Sequence, residues 1–254
     1  MSDAVIRLSA LVVARDEAGQ LADCLGRLGF ADEIVVVLDR CTDDSRRIAE
    51  RFTDRILEGA WEREGARRNA GIDACRGAWL LEVDADERVT PELAAEVRRI
   101  VVRDGPGHYL VPYHNFVGDR LVRYGWGASW GVAATVRLFA RGCKRWGDAR
   151  VHPAVELLGP CGRLASPMIH LIGHDVAHLM RRLDRYTTAR AADLRESGDI
   201  GTLPGNVRRC VARFVKLYVV RRGYREGALG FLNALFAGLY PLLAHLKARL
   251  DRPD

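Results

Sequence analysis

The segment Trp79-Leu80-Leu81-Glu82-Val83-Asp84-Ala85-Asp86-Glu87 is an apolar run that ends in closely spaced carboxylates. An extended strand with this pattern is buried, and alternation sends residues i and i+2 to one side, so Asp84 and Asp86 are expected to face a common site. Two carboxylates held together repel unless a cation or a proton lies between them. Oxygen ligands of this kind suit Mg2+ or Mn2+, especially where substrate phosphates complete the shell. The carboxyl ends of strands are also where open α/β sheets bind ligands. The plainer alternative is an acidic turn leading into a helix at Thr90-Pro91-Glu92.

Three further segments carry polar groups at expected strand ends or on the preceding helix. They are Ala14-Arg15-Asp16-Glu17, Asp39-Arg40-Cys41-Thr42-Asp43-Asp44-Ser45 and Gly65-Ala66-Arg67-Arg68-Asn69-Ala70-Gly71-Ile72. A carboxylate such as Asp39 could accept from a base N–H or a ribose hydroxyl. Arg68 could neutralise a diphosphate, and the aspartate pair could hold an ion bridging it. Singly, each has a duller reading: Thr42 or Asp43 as a helix cap, Arg67 and Arg68 as a solvated face. Together and in this order, the duller readings lose ground.

The elements that must position these groups alternate between strand and helix signals. Strands are expected at 8–14, 33–38, 55–57 and 79–83, and helices around 21–25, 43–52, 62–75 and 91–103, the last opened by Thr90-Pro91. Such alternation implies an α/β fold with a mainly parallel sheet flanked by helices. From His108 to Ile172 the pattern loosens into short strands and loops rich in Gly, Trp, Tyr and His, as in segments that cover a site. Trp126 and Trp130 there could stack on a sugar or lipid headgroup, or anchor a core. His170, His174 and His178 share a four-residue spacing that could gather a metal, but Leu171-Ile172-Gly173 interrupts any helix, which favours solvent-facing or supporting roles, though His170 could still approach the site.

The chain turns helical from His174 onward, giving an expected division into 1–175, with the loop-rich 108–172 covering the site, and a C-terminal extension over 176–254. Residues 177–254 hold 15 Lys and Arg against 7 Asp and Glu, whereas residues 1–176 hold 24 against 26. The net charge of +6 therefore belongs to the C-terminal third, and an anionic surface is expected there. Between Asn206 and Arg225 lie seven basic residues and no acidic one, interleaved with Val207, Val211, Phe214, Val215, Leu217 and Tyr218. This is the pattern of a basic amphipathic, membrane-surface helix, or of a packed helix with a solvated face. The apolar run Gly227–Ala244 is at the lower length limit for a span and contains Asn233 and Pro241, which favours a shallow or re-entrant membrane helix over a crossing one, with a buried packing or dimer helix as the alternative.

With 48% hydrophobic and 28% charged residues over 254 positions, the chain has ample material for a core. Its six cysteines show no Cys-x-x-Cys pair, which reads as reduced thiols in a reducing compartment. The start of the chain lacks signal-peptide architecture, so a cytoplasmic location, peripheral on the inner face of the membrane, is the expectation. Nucleic-acid binding is not expected, because the basic residues sit on a hydrophobic helix rather than in an aromatic-studded groove.

The combined motifs resemble family 2 glycosyltransferases of the GT-A fold. The resemblance covers roughly residues 8–100 through Val-Val-Ala-Arg-Asp-Glu, Leu-Asp-Arg-Cys-Thr-Asp-Asp-Ser, Ala-Arg-Arg-Asn-Ala-Gly-Ile and Val-Asp-Ala-Asp-Glu-Arg. A closer likeness to the bacterial lipopolysaccharide-core and envelope-glycan type rests on Arg137-Leu138-Phe139, Arg150-Val151-His152 and Leu183-Asp184-Arg185-Tyr186-Thr187-Thr188, with Arg221-Arg222-Gly223-Tyr224 and the apolar tail. The resemblance implies a metal-dependent, inverting transfer from a nucleotide-diphosphate donor, a UDP-sugar, to a lipid-linked or lipopolysaccharide-type acceptor. It implies Glu17 and Asp39 at the nucleoside, Arg68 near the phosphates, Asp84 by the ribose and metal, and Asp86 as direct ligand of Mg2+ or Mn2+. Relatives often have small residues where Arg40-Cys41 stands. They also have Val-His-Glu where this chain reads Val151-His152-Pro153-Ala154-Val155-Glu156, which leaves Glu156, His152 and Asp148 as candidates for the acceptor base. Rival readings are a nucleotidyltransferase, for which Arg15-Asp16-Glu17-Ala18-Gly19 is a poor phosphate loop, and a non-catalytic membrane scaffold.

Overall fold

The computed structural model describes residues 6–102, 105–127, 132–148, 154–173 and 175–251. In chain order the elements are β1 (Leu8–Ala14), α1 (Ala18–Gly26), β2 (Glu33–Asp39), α2 (Ser45–Ala49), β3 (Ile56–Gly59), α3 (Glu64–Ala74), β4 (Trp79–Asp84), β5 (Glu87–Arg88) and α4 (Pro91–Val101). They continue with β6 (His108–Val117), β7 (Arg120–Val122), β8 (Ala134–Ala140), β9 (Lys144–Trp146), β10 (Val155–Leu157), β11 (Cys161–Arg163), β12 (Met168–Gly173), α5 (Val176–Ser197), α6 (Leu203–Val215) and α7 (Gly227–Leu250). Two compact units result: Met1–Tyr113 with Ala134–Ala149 and Pro153–His170, and His114–Ala133 with Arg150–His152 and Leu171–Asp254.

In the first unit, strands β3, β2, β1, β4, β8 and β6 lie side by side in that order. The pairs β3–β2, β2–β1 and β1–β4 are parallel, while β4–β8 and β8–β6 are antiparallel. The sheet is therefore parallel from β3 to β4, as expected, and becomes mixed beyond β4. A parallel neighbour needs a crossover, usually helical, and the described residues between β6 and β8 contain no helix, so β8 returns antiparallel. All seven residues of β1 are buried, because helices cover both sheet faces. Leu8, Ala10, Val12 and Ala14 pack with Leu21 and Leu25 of α1 and Leu93 and Val97 of α4. Leu11 and Val13 face the other way, with Leu80 and Ile72 of α3. α3 comes close because Gly71 has no side chain: a Cβ there would stand 2.5 Å from Leu11 Cδ1. The Thr90 hydroxyl accepts the Leu93 amide proton at 3.2 Å and starts α4 as its Thr-Pro sequence predicts.

The second unit is built on α5, α6 and α7, with a core of Trp126, Leu179, Leu183, Leu217, Ala234, Phe236 and Tyr240. Asp175 caps α5 through the His178 amide at 2.6 Å, and Gly198 ends it in the left-handed region at φ +71°. α6 does not run on to Arg225 as its composition suggests. It passes into a π-helical turn over Lys216–Val220 and a 3-10 turn over Gly223–Glu226 before α7. α7 reaches Leu250, beyond the apolar run. The helical stretch Gly223–Leu250 is long and apolar enough to cross a membrane by length and composition, its 18-residue apolar window having mean hydropathy 1.6, yet half of that window is buried inside the protein. Trp126 is a core anchor, its indole N–H donating to the Val122 carbonyl at 2.7 Å. Trp130 and His174 lie outside the described residues. All six cysteines are free thiols.

Candidate active site

Even-numbered residues of β4 face α3. That side carries Leu80, then Glu82, then Asp84, so two carboxylates enter a layer that is otherwise apolar. Glu82 is fully buried and stays ionised because three donors reach it. Arg68 Nη1 lies at 3.1 Å, Trp146 Nε1 at 3.0 Å, and Lys144 Nζ completes the set. Burial raises the Glu82 pKa, but Lys144, Arg68 and Arg137 outweigh it and hold the carboxyl below its usual value. Burial pushes the Lys144 ammonium down to about 8 against the pull of Glu82. Lys144 also donates to the Val136 carbonyl at 2.8 Å. The Trp146 ring lies 4.4 Å from Lys144 Nζ and 4.8 Å from the Arg68 guanidinium carbon, a cation–π contact with each.

Asp84 is held from two sides. Its Oδ1 accepts from Arg68 at 2.9 Å and its Oδ2 from Arg137. Burial opposes ionisation here too, but the two guanidiniums keep the carboxyl well below the ordinary range. Arg137 also donates to Glu87 Oε1 and, at 2.7 Å, to the Tyr113 hydroxyl, which itself donates to Glu87 at 2.7 Å. Burial and the nearby Asp84 charge raise the Glu87 pKa, with Arg137 opposing them.

β4 stops at Asp84, and residues 85–86 form a turn, so strand alternation does not carry Asp84 and Asp86 onto one face. Asp86 meets a different neighbour: His170 Nε2 lies 3.4 Å from its Oδ2, and 29% of the Asp86 side chain remains exposed. His170 is set there by β12, whose register places it opposite Glu87 of β5, and its ring leans on Tyr113 at 5.3 Å.

At the ends of β1 and β2, Asp39 is buried and accepts from the Trp61 amide at 3.0 Å, Arg40 Nε at 3.1 Å and Arg67 Nη1 at 3.2 Å. Arg40 adopts φ +52°, a left-handed conformation that glycine takes without strain. Glu17 accepts from the Gln20 side chain at 2.7 Å. Beside it, Asp16, Cys41 and Asp43 bring potential ligand atoms within 4.8 Å of one another. Their oxygens serve the loop: Asp16 accepts the Thr42 amide at 2.7 Å, and Asp43 accepts those of Ala18 and Ser45 at 2.9 and 3.0 Å.

Residues 9–132 match the family described as Glycosyl transferase family 2. The chain carries a family 2 glycosyltransferase domain. Over 94% of its length the transferase is 23% identical to the lipopolysaccharide core biosynthesis glycosyltransferase LpsC of Rhizobium meliloti, covering 91% of that protein. It is 21% identical to an uncharacterized glycosyltransferase of Rickettsia felis, over 96% of this chain and 89% of that one. Among solved structures it resembles residues 1–349 of S. aureus TarS in complex with UDP-GlcNAc, with TM-score 0.52 at 11% identity, covering 93% of this chain and 82% of that one. At that identity the likeness shows the fold, an α/β arrangement of the GT-A kind.

For the transferase, the structure joins Arg68 and Asp84 directly and sets Asp39 beside Arg67 rather than Arg68. The candidate bases fare differently. Glu156 pairs with Arg145 across the two-stranded sheet β9–β10, and directly paired residues share a face. Arg145 reaches out to Asp73, while its neighbours Lys144 and Trp146 turn the opposite way toward Glu82, so Glu156 faces away from the charge cluster. Asp148 is exposed and lies 3.4 Å from Arg63, which precedes α3. His152 lies outside the described residues. Glu82, Tyr113, Lys144 and Trp146 carry no motif of their own. The one available signal was Glu82 itself, a charge inside an apolar strand that requires a buried cation.

Proposed function

We propose that this transferase moves a sugar from a nucleotide-diphosphate donor, a UDP-sugar, to an acceptor hydroxyl of an envelope glycan, with inversion at the anomeric carbon. The observation that carries it is the end of β4, where Asp84 is fixed by two guanidiniums and Asp86 stays partly open beside His170. The TarS complex with UDP-GlcNAc supports the donor class, and LpsC supports a lipopolysaccharide-type acceptor.

A divalent ion fits Asp86 and His170 better than the aspartate pair, because both Asp84 oxygens already accept from arginines. A carboxylate joined by an imidazole suits Mn2+ more than Mg2+. When bound, such an ion supplies positive charge to the departing diphosphate. The protein's own residues do the rest. Asp84 holds the end of β4 against α3 and β8, on the ribose side of the donor. Glu17 and Asp39 line the nucleoside, with Asp39 held by Arg67 at 3.2 Å. Of the acidic candidates, Asp148 is better placed than Glu156 to take the acceptor proton, as it adjoins the start of α3.

Calorimetric titration with UDP, with and without Mn2+, tests the assignment. Binding should require the metal in the wild type and be lost in Asp86→Asn and His170→Ala. A wild type that takes up no nucleotide overturns the donor reading. Mn2+-dependent binding that survives in both variants would move the metal elsewhere.

A further inference from the structure

Leu203, Val207, Val211 and Val215 recur every fourth residue along α6 and are all 44–58% exposed. With about 100° per residue, each such step advances roughly 40°, so the four side chains fall within a sector of about 120°. The π-helical turn after α6 takes more residues per turn than an α-turn and keeps Val219, also exposed, close to the same ridge. This ridge is not the packed side of the helix. Asn206 and Leu217 are buried, and the Cys210 carbonyl and Phe214 close on Gly238 of α7, where an added Cβ would stand 2.8 Å from that carbonyl. α6 thus has two apolar faces: α7 covers one, and the other is exposed to solvent.

The second face continues into aromatic rings. Phe231 meets Phe214 and Tyr218 edge-on at 5.6 and 5.8 Å, Tyr224 meets Tyr218 at 6.4 Å, and both Phe231 and Tyr224 are exposed. Seven basic residues and no acidic one lie between Asn206 and Arg225, of which Arg213 packs over Tyr240 and Arg221 holds the Trp126 carbonyl. The side chains of Arg208, Lys216 and Arg222 are exposed and make no hydrogen bond or ion pair among the described residues. The nearest acid in sequence, Glu226, is buried and bound to Arg120. A second copy is a poor occupant, since a two-fold contact lays the same cationic patch against itself.

We propose that this ridge docks on a lipid bilayer bearing anionic headgroups. The valines, Tyr224 and Phe231 enter the boundary between headgroups and acyl chains, and the flanking arginines and lysine lie on lipid phosphates. This rests on the second unit alone and does not depend on the donor assignment.

The test is co-sedimentation of the full chain with sucrose-loaded vesicles of phosphatidylcholine alone, or mixed with phosphatidylglycerol, at low and high salt. Binding should be at least about tenfold tighter to the anionic vesicles and weaken with salt. V211D/V215D and R208E/K216E should each lose about tenfold or more, while V211L/V215L retains binding. An unchanged melting temperature shows that the variants are folded, as the exposure of the substituted residues leads one to expect. A wild type that binds neither vesicle, or aspartate variants that bind as the wild type does, overturns the proposal. A concentration-dependent dimer that V211D/V215D dissolves, without vesicle binding by the wild type, also overturns it and gives the ridge to a second copy.

Discussion

Replacing Arg137 by methionine tests the reasoning about the end of β4 most directly. The side chain is buried and its guanidinium serves Asp84, Glu87 and the Tyr113 hydroxyl at once. Methionine keeps most of the apolar stem, so the loss is mainly electrostatic. Removing one partner of a buried ion pair costs about 3–5 kcal/mol, which for a chain of this size corresponds to a fall of roughly 6–20 °C in melting temperature. The pH dependence gives a second check. Glu87 already has a raised pKa, and without Arg137 it rises further. The folded state of the variant then holds a proton that the unfolded state has lost above its ordinary value of 4.5, so its stability falls as pH increases. Urea unfolding followed by tryptophan fluorescence should show a larger deficit at pH 8 than at pH 5, and Arg137→Lys should lie between variant and wild type. A deficit under about 1 kcal/mol at pH 8, or one equal at both pH values, refutes the argument.

Three further outcomes follow from contacts described by the structure. Gly65→Ala should destabilise the first unit by about 1–3 kcal/mol in urea unfolding, because the added Cβ would stand 1.8 Å from the Gly147 carbonyl oxygen, a backbone atom that cannot swing away. Asp32→Asn should lower the melting temperature at pH 7. The Asp32 carboxyl is held below 3.8 by Arg98 and by the amides of Leu8 and Arg7, so its contribution is present above that value, and the difference from wild type should shrink as pH falls below it. Glu226→Ala should speed amide exchange at Arg123 and Tyr124, whose N–H groups donate to Glu226 Oε1 at 2.8 and 3.0 Å, while Glu226→Gln should keep most of the protection.

Much of the first hundred residues could be read directly from the chain. β1 and β2 are nearly continuous apolar runs because both sheet faces are covered, β4 is one broken by Glu82, and the Thr90-Pro91 cap marks the start of α4. Asp84 and Asp86 announce a site at the end of β4, but their relation to each other is hidden. Alternation holds only while the strand lasts, and it ends at Asp84. The partners of Glu82 and Asp84 were harder to see, because Arg137 and Lys144 come from β8 and β9, more than 50 residues away, and arrive by an antiparallel return that no periodicity records. α6 was legible as a basic amphipathic element. The π-helical turn after it was not, since its hydrogen-bond shift depends on packing rather than residue type.

The lateness of Arg137 and Lys144 also orders the assembly of the protein. A chain grown only as far as α4 has Glu82, Asp84 and Glu87 in place but, of the three cations that later meet them, only Arg68. Such a fragment gains more by leaving these carboxylates in water than by closing α3 over them. The edge of β4 therefore stays hydrated and open until β8 and β9 bring the missing positive charges, so sealing of the first layer waits on residues synthesised long after it. Cutting the chain before residue 134 would yield a sheet that holds its apolar strands together and cannot shut its acidic end.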